Sequence, residues 1–399
     1  MKTVKTASTL LTTGEVAAYL RMKERTVYDM VARQQIPCSR ATGKLLFSRP
    51  LIDAWVEAHT EMPAGRNAVV PMIYAGSSDP LLEWALRQSG CGLAVLATGS
   101  RRGLEAMARG EARNFPVVRE ALGYADALYG FKSGFDKAGL ALGLKSGGYW
   151  PGNMAKGLTN HQSTVVLFDP DTGRPSAMVG GNLLTALRTA AASAVAIKRL
   201  ARADSKVLGM VGAGHQATFQ LRAAAKAHAF ERVVGWNLHP EMLPKLAAVA
   251  EEIGLPFQAV TLDELGAQAD VIITITSSFA PILKQAQIRP GTHLSCIGTD
   301  TVGKQEVEAG LVAAARLFTD EVAQSVTLGE CQHAVAAGLV TESDITPIGA
   351  VITGAHPGRA NEDDITLFDG TGVGLQDLAV AAMAVERAKA EGSAIEIEI

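Results

Sequence analysis

The pattern of hydrophobic and polar positions in the second half of the chain alternates between short apolar runs and longer segments of helical periodicity. The apolar runs have the length of buried strands and cover 207–211, 232–236, 270–276 and 292–297. Alanine-rich segments of helical periodicity cover 183–200, 217–229 and 378–391. Strands that alternate with helices in this way predict an α/β fold built on a parallel sheet.

A glycine-rich turn joins the first of these strands to the helix that follows it. Gly212, Gly214 and Ala217 have the spacing of a dinucleotide-binding turn. The first glycine permits the tight turn, the second lets the backbone approach a pyrophosphate, and the third small residue lets the helix pack on the strand. Helical N–H groups around His215 and Gln216 would then face the anion. The sequence therefore favours a cofactor phosphate here over an ordinary glycine turn.

The residues that follow the next strands indicate which nicotinamide cofactor is bound. An acidic residue after the second strand would bind the adenine ribose and favour NAD, but Asn237 stands there. Asn237 can still hydrogen-bond a ribose, and no arginine is placed for a 2′-phosphate. We therefore expect NADH, with NADPH as the alternative. Thr276 and Ser277, which end the third strand, are expected to border the nicotinamide.

Composition restricts the class of protein and its compartment. The chain has 399 residues, of which 48% are apolar and 19% charged. It shows no apolar run of membrane-span length and no signal-peptide core, so we expect a soluble cytoplasmic protein without a membrane partner. The four cysteines lack paired or metal-type spacing, although Cys331 and His333 lie close together. Reduced thiols and no metal site are expected.

The N-terminal 62 residues have a pattern of their own. Short amphipathic helices are predicted at 12–20, 25–33 and 51–58, and a small β-ribbon is predicted at 39–49. With Thr26-Val-Tyr28, Ile36-Pro37 and Ile52-Asp-Ala-Trp55, this order resembles the excisionase-type winged helix-turn-helix. Residues 1–66 contain ten Lys and Arg against six Asp and Glu, which gives them a net charge of +4 within a chain of net charge −3.

The helix-turn-helix resemblance implies that DNA is a candidate partner. The second helix would offer Arg25, Thr26 and Tyr28 to the major groove, and Arg40 and Lys44 of the ribbon would meet phosphates. A charge of +4 is modest, so binding by one copy should be weak and sensitive to salt. The alternative is a solvated helical appendage with no DNA-binding role.

Residues 63–112 are expected to be a linker and a partial α/β connector. Strands at 72–75 and 93–97 and helices at 80–89 and 102–109 resemble the first βαβ unit of periplasmic-binding-protein-like domains. This stretch is too short to form a ligand cleft by itself.

From residue 114 to about residue 390 the chain is similar to the ornithine cyclodeaminase/μ-crystallin family. The resemblance is carried by Lys145, Pro151-Gly-Asn153, Thr172-Gly173, Leu184-Thr-Ala-Leu-Arg-Thr-Ala-Ala191, the glycine-rich turn and Gly298-Thr-Asp-Thr-Val-Gly-Lys304. It implies a Rossmann-type domain at 196–361, a discontinuous α+β substrate and dimerisation domain at 113–195 and 362–399, and a homodimer.

Within this family, other stretches resemble the branch that reduces iminosuccinate to L-aspartate with a nicotinamide cofactor. They are Asn114-Phe-Pro-Val-Val-Arg-Glu120, Tyr149-Trp-Pro151, Asn160-His-Gln-Ser163, Gly329-Glu-Cys-Gln-His333 and Asp369-Gly-Thr-Gly-Val-Gly-Leu-Gln-Asp377. The resemblance implies an imino acid reductase. An ornithine cyclodeaminase or another amino acid dehydrogenase of the family is a second interpretation. A DNA-binding regulator that senses NADH or an amino acid is a third.

An α-imino acid carries a carboxylate beside the carbon that receives hydride, so its site needs fixed cations. Arg119, Lys145 and Arg188 match family positions that bind this carboxylate, and Arg188 lies in an otherwise apolar helix, where an unpaired charge would be costly. Thr164 could add a hydroxyl to the same carboxylate or be an ordinary strand residue.

Asp300 follows a strand at the carboxyl edge of the sheet, where ligands collect. It could orient the imine or relay a proton, with Lys145 as the other proton donor, or it could cap a turn. Lys304 and Glu306 are expected to pair on the surface. For the second carboxylate of a dicarboxylic substrate we name His161, Lys132 and Asn153, although His161 could equally be a structural histidine.

Overall fold

A computed structural model describes residues 10–33, 35–40, 43–58, 73–75, 94–96, 99–137, 139 and 141–395. The chain divides into two compact units, Met1–Pro71 and Met72–Ile399. Among the helices of the described ranges, none is both long enough and apolar enough to cross a bilayer.

The first unit contains three helices and a two-stranded antiparallel sheet. The helices are Thr13–Tyr19, Glu24–Ala32 and Arg49–Ala58, and the strands are β1 (Leu10–Thr12) and β2 (Leu46–Ser48). Thr12 caps the first helix through a capping box with Glu15. The core of this unit contains the fully buried side chains of Val16, Val27, Phe47 and Ile52.

The sequence predicts a β-ribbon within residues 39–49, but in the structure the second half of this segment, β2, pairs with β1. Only Ser39 and Leu46 form an isolated bridge across Gly43, and β2 pairs along its whole length with β1. The sequence does not predict β1, because a three-residue strand that ends at the capping Thr12 is too short to show a period of two.

The beginning of the second unit is only partly described. Strands β3 (Ile73–Ala75) and β4 (Ala94–Leu96) are parallel to each other, and the helix expected at 80–89 lies outside the described residues. The helix Gly99–Ala108 packs against the helices Ile348–Thr353 and Gly374–Ala390. The end of the expected connector therefore belongs to the packed body of the second unit.

The larger sheet of the second unit is the nucleotide-binding type of parallel sheet. Its eight strands, in spatial order, are β13 (Phe257–Ala259), β12 (Arg232–Trp236), β11 (Val207–Val211), β14 (Val271–Thr274), β16 (His293–Cys296), β20 (Thr366–Asp369), β18 (Arg316–Thr319) and β19 (Ile345–Pro347). All seven pairings are parallel. Two apolar clusters cover its two faces, as expected for an α/β fold.

Helices and one small sheet complete this region. The helices are Gly181–Leu200, His215–Ala227, Leu243–Glu252, Leu262–Gln268, Ala309–Ala314, Val322–Ser325, Gln332–Ala336 and Ile348–Thr353. The small sheet pairs β15 (Phe279–Leu283) with β17 (Gln305–Val307).

The second large sheet has six strands whose observed pairings are antiparallel. They are β5 (Ala112–Asn114), β6 (Val118–Ala121), β7 (Leu128–Asp136), β8 (Ala141–Tyr149), β9 (His161–Phe168) and β10 (Pro175–Gly180). The helix Gly374–Ala390 packs on β7, β8 and β9. The sequence places the return to the substrate domain at residue 362. In the structure β20 still belongs to the eight-stranded parallel sheet. The chain therefore returns to the six-stranded sheet only at the helix Gly374–Ala390.

Candidate active site

The glycine-rich turn follows β11 and has the geometry that a dinucleotide requires. Gly212 has a φ of 110°, and a Cβ atom there would lie 2.7 Å from the carbonyl oxygen of Ile275. Gly214 is the N-cap of the helix His215–Ala227, and a Cβ atom there would meet nothing within 4 Å. Ala217 is fully buried against the sheet. The turn therefore presents open backbone at a helix N-terminus, which fits a pyrophosphate.

The other predicted cofactor residues lie around this turn. Asn237 Oδ1 accepts a hydrogen bond of 3.1 Å from the Ala213 N–H, so Asn237 holds the turn as well as following β12. His215 is exposed, and its ring stacks edge-on to Phe219. Gln216 has a buried Oε1 without a hydrogen-bond partner among the described residues. These groups therefore lie at or beside the turn for which the sequence predicts a dinucleotide.

Two lysines face each other on neighbouring strands of the antiparallel sheet. Lys132 of β7 is directly opposite Lys145 of β8, and both are more than 90% buried. Lys132 Nζ donates to the carbonyl oxygens of Thr371 (2.8 Å) and Gly372 (2.7 Å). Burial and the nearby Arg188 charge lower the pKa of Lys132 to about 7, and burial lowers that of Lys145 to about 8.

Asp377 connects Lys145 with Arg188. Lys145 Nζ lies 2.9 Å from Asp377 Oδ2, and Arg188 Nε lies 3.0 Å from Asp377 Oδ1. Asp377 is fully buried in the first turn of the helix Gly374–Ala390. Burial alone would raise the pKa of its carboxyl, but Arg188 and Lys145 hold that pKa below its ordinary value. Arg188 is therefore a buried cation and not an exposed one.

Asp300 is bound by two further cations after β16. Its Oδ2 lies 2.7 Å from an Arg119 guanidinium nitrogen, and its Oδ1 lies 2.9 Å from Lys304 Nζ. Although burial opposes ionisation, Lys304 and Arg119 hold the pKa of Asp300 well below its usual range. Asp300 is thus an ionised acceptor of hydrogen bonds at neutral pH.

Register decides which other predicted residues share the face of Lys145. His161 is opposite Tyr149, which lies four positions after Lys145 on β8, so the rings of both belong to that face. Burial and the nearby Lys145 charge lower the pKa of His161 to about 4, so its imidazole is neutral at pH 7. Asn153 uses its amide nitrogen to hold its own loop, donating to Thr159 O at 3.2 Å.

Thr164 is not placed with the cations. It is opposite Ser146, one position after Lys145, and a shift of one residue along a strand moves a side chain to the other face of the sheet. The structure therefore puts the Thr164 hydroxyl on the face opposite to Lys145, and we do not include it in the carboxylate site.

Glu306 differs from the expectation of a surface pair with Lys304. Lys304 pairs with Asp300, and Glu306 is fully buried below the turn that contains Thr276 and Ser277. Thr276 is held there by hydrogen bonds to Glu306, whereas Ser277 is exposed at the carboxyl edge of the sheet.

Two site residues received no role in the sequence analysis. Asp377 orients Lys145 and Arg188, and Asp320 accepts hydrogen bonds from the backbone of Thr371 and Gly372, the turn that holds Lys132. A signal exists in the sequence for Asp377, which is a lone acidic residue between a glycine-rich turn and an apolar helix, but not for Asp320, which is followed by Glu321.

In the N-terminal unit the predicted DNA-contacting residues lie on the surface. Arg25, Thr26 and Tyr28 are exposed on the helix Glu24–Ala32, whose opposite face buries Val27 and Val31. Arg40 and Lys44 are exposed on either side of the ribbon turn. The unit thus exposes a polar helix face that contains Arg25 and a loop that contains Arg40 and Lys44.

Comparisons with known proteins cover both units. Residues 133–392 match the ornithine cyclodeaminase/mu-crystallin family, and residues 10–60 match a helix-turn-helix domain. The chain is 66% identical over 293 residues to iminosuccinate reductase of Paracoccus denitrificans, which covers 73% of this chain and 91% of the relative.

Solved structures agree with this relationship. The iminosuccinate reductase of Paracoccus denitrificans in complex with NAD+ has a TM-score of 0.72 at 64% identity, covering 75% of this chain and 94% of that one. An archaeal alanine dehydrogenase dimer with bound NAD has a TM-score of 0.72 at 31% identity, covering 76% and 93%. With an added N-terminal helix-turn-helix domain, the chain belongs to the ornithine cyclodeaminase/mu-crystallin family.

Proposed function

We propose that this protein is a nicotinamide-dependent imine reductase that converts iminosuccinate to L-aspartate with NADH. The observation that carries the proposal is the group of five cationic side chains around the carboxylates of Asp300 and Asp377, namely Arg119, Lys132, Lys145, Arg188 and Lys304. Cations outnumber carboxylates there, so a dianionic substrate would compensate the excess charge. The similarity to iminosuccinate reductase over most of that protein's length supports the same substrate.

In this proposal the residues of the site divide into three roles. Arg119, Lys145 and Arg188 bind the carboxylate next to the imine carbon, and Lys132 and the neutral His161 bind the distal one. Gly212, Gly214, His215, Gln216, Ala217 and Asn237 hold NADH, with Thr276 and Ser277 beside its nicotinamide. The cofactor supplies hydride.

Proton transfer is assigned from the charge states of the two catalytic candidates. Asp300 is ionised, so it accepts a hydrogen bond from the protonated imine nitrogen and orients the imine carbon. Lys145, with a pKa of about 8, carries a proton at neutral pH and can give it to the amine that hydride addition forms.

The test is NADH oxidation in the presence of oxaloacetate and ammonia, which generate iminosuccinate in solution. The expected product is L-aspartate, identified by chiral chromatography. Ornithine with NAD serves as the parallel reaction, because release of ammonia there, without NADH oxidation in the first assay, would indicate a cyclodeaminase instead.

We further propose a homodimer that uses the outer face of the six-stranded sheet. Val118, Tyr129, Phe131 and Met178 are exposed on this face, and Met178 is 74% accessible. Exposed apolar side chains on one sheet face are typical of an interface. The related archaeal alanine dehydrogenase is a dimer. Light scattering after size-exclusion chromatography measures the state, and a Phe131→Glu variant should be monomeric.

Other residues of the chain support two further assignments, a cellular location and a DNA-binding role. The thiols of Cys38, Cys296 and Cys331 are free, which fits the cytoplasmic location expected from the sequence.

We also propose that the N-terminal unit binds DNA, because Arg25, Thr26 and Tyr28 form an exposed surface on its second helix. A DNA-binding function is compatible with catalysis, and a regulator without reductase activity is the alternative that the NADH assay decides.

A further inference from the structure

The buried carboxylate of Glu306 connects the ends of two neighbouring strands of the parallel sheet. Its Oε1 accepts hydrogen bonds from the Thr276 N–H (2.6 Å) and hydroxyl (2.8 Å), and its Oε2 accepts from the Thr274 hydroxyl (2.7 Å) and the Gly298 N–H (2.9 Å). Thr274 ends β14, Thr276 lies two residues beyond it, and Gly298 follows β16. Four donors from two strands therefore meet on one side chain.

A second buried carboxyl group, Glu330, lies behind the first. Its Oε1 accepts from the N–H groups of Glu306 (2.9 Å) and Val307 (2.8 Å), and its Oε2 forms a short hydrogen bond with the Thr299 hydroxyl. Thr299 directly precedes Asp300. The two glutamates thus reach both turns that border the proposed imine site, the Thr276–Ser277 turn and the Thr299–Asp300 turn.

The backbone of Gly298 packs closely against Thr276 and Glu306. A Cβ atom at Gly298 would collide with the Thr276 carbonyl oxygen and with Glu306 Oε1. Among the described residues no lysine, arginine or histidine forms an ion pair with Glu306 or Glu330. The buried thiol of Cys296 lies near both carboxyl groups, since burial and the charges of Glu330 and Glu306 raise its pKa.

The hydrogen bonds distinguish the charge states of the two glutamates. All four partners of Glu306 can donate, and two of them are backbone N–H groups that cannot accept a proton. Oε2 of Glu330 meets the Thr299 hydroxyl, which can donate a hydrogen bond to a carboxylate or accept one from a protonated carboxyl group. Burial and the neighbouring Glu306 charge raise the pKa of Glu330 to about 8. Burial also raises the pKa of Glu306, but the hydrogen bonds from Thr274, Thr276 and Gly298 oppose that shift. We therefore assign the shared proton of the pair to Glu330 and the negative charge to Glu306.

We propose that Glu306 and Glu330 are positioning residues that fix the Thr276–Ser277 turn and Asp300 relative to each other. Neither side chain touches the substrate. They act through the backbone of these two turns. The backbone holds Asp300, which accepts a hydrogen bond from the imine nitrogen, in a fixed position relative to the turn beside the nicotinamide. The inference rests on the reductase function proposed above.

Two isosteric variants test the pair, because an amide fits only one of the two positions. In Glu306→Gln the NH₂ group must face a backbone N–H in either orientation, that of Thr276 or that of Gly298, so the turns lose a fixed partner. In Glu330→Gln the amide can donate to Thr299 and accept from the two N–H groups, as a protonated carboxyl does. Glu308→Gln is the matched control. Glu308 is exposed, and among the described residues its side chain accepts a hydrogen bond only from the Gln285 N–H.

We expect kcat for iminosuccinate reduction to fall about 30-fold or more in Glu306→Gln, and several times less in Glu330→Gln. The NADH dissociation constant, measured by fluorescence titration, should change by less than about threefold, because the cofactor phosphates bind at Gly212 and Gly214. A general loss of structure would change both quantities together and lower the melting temperature, so this separation of kcat from cofactor binding is specific to a positioning role.

Thr274→Val provides a second route if Glu306→Gln does not fold. It removes one of the four donors to Glu306, so kcat should fall, and Thr274→Ser should restore most of it. Equal effects of the two glutamine variants, or loss of NADH binding in proportion to kcat, would overturn the inference. Absence of reductase activity in the unaltered protein would instead reject the proposed function.

Discussion

Lys145 and Asp377 form an ion pair of 2.9 Å between the middle of a strand and the first turn of the last long helix. The same carboxylate binds Arg188, so one buried anion fixes two cations that come from different elements. Fixed cations need no reorganisation when a carboxylate arrives, which is the condition for tight and selective binding of an anion.

Replacement of Arg188 by alanine should damage use of the imino substrate far more than cofactor binding. The change removes one carboxylate ligand and leaves Asp377 with a single partner, so kcat/KM should fall about 100-fold or more. The NADH dissociation constant should stay nearly unchanged. Arg199→Ala is the control, because Arg199 is exposed on the same helix. Equal loss of substrate use and of NADH binding would contradict the role of Arg188.

Affinity for dicarboxylates should decrease as pH rises through the pKa values of the two buried lysines. Burial lowers these to about 7 for Lys132 and about 8 for Lys145, so both charges are fully present only below pH 7. Inhibition by succinate, measured from about pH 6 to about pH 9, should therefore weaken steadily. A flat inhibition constant over this range would show that these lysines do not bind the carboxylates.

The two glycines of the cofactor turn should respond differently to a methyl group. Gly212→Ala places a Cβ atom against the Ile275 carbonyl at a positive φ, so the free energy of unfolding should fall by about 1–3 kcal/mol. Gly214→Ala meets no protein atom and should cost less than about 1 kcal/mol. Both should weaken NADH binding. Unchanged NADH affinity in Gly214→Ala would argue against a pyrophosphate at this turn.

DNA binding should depend on the second helix of the N-terminal unit and on salt. Fluorescence anisotropy with a duplex from the promoter region of the protein's own gene should detect weak binding that decreases steeply as salt increases. Arg25→Ala should weaken it, whereas Arg109→Ala, an exposed control in the second unit, should not. Reductase activity should be the same in both variants. A missing shift in anisotropy at low salt would reject this function.

Much of the parallel sheet was predictable because its signals are local. Strands at 207–211 and 232–236 agree with the observed β11 and β12, and the helix expected at 183–200 is observed at Gly181–Leu200. The α/β fold class and the family are confirmed. Short apolar runs, alanine-rich helices and a glycine turn are each defined by residues close together in the sequence.

The parts that were not predictable depend on contacts between distant residues. Asp377 meets Arg188 across 189 positions, and no periodicity in either segment reports such a pair. Of the two interpretations of Thr164, the structure favours an ordinary strand residue, and the sequence could not decide between them because the face of Thr164 depends on the register of β8 and β9. Glu306 looked like a surface residue beside Lys304, since the sequence does not show that the chain buries it beneath the neighbouring strands.

The most direct test of the dicarboxylate site is a comparison of two imines that differ only in the distal carboxylate. NADH oxidation is measured with ammonia and either oxaloacetate or pyruvate, and kcat/KM is determined for each. Because Lys132 and His161 should bind the second carboxylate, we expect the oxaloacetate-derived imine to be favoured by about 100-fold or more. Equal rates, or a preference for the pyruvate-derived imine, would contradict a site built for iminosuccinate.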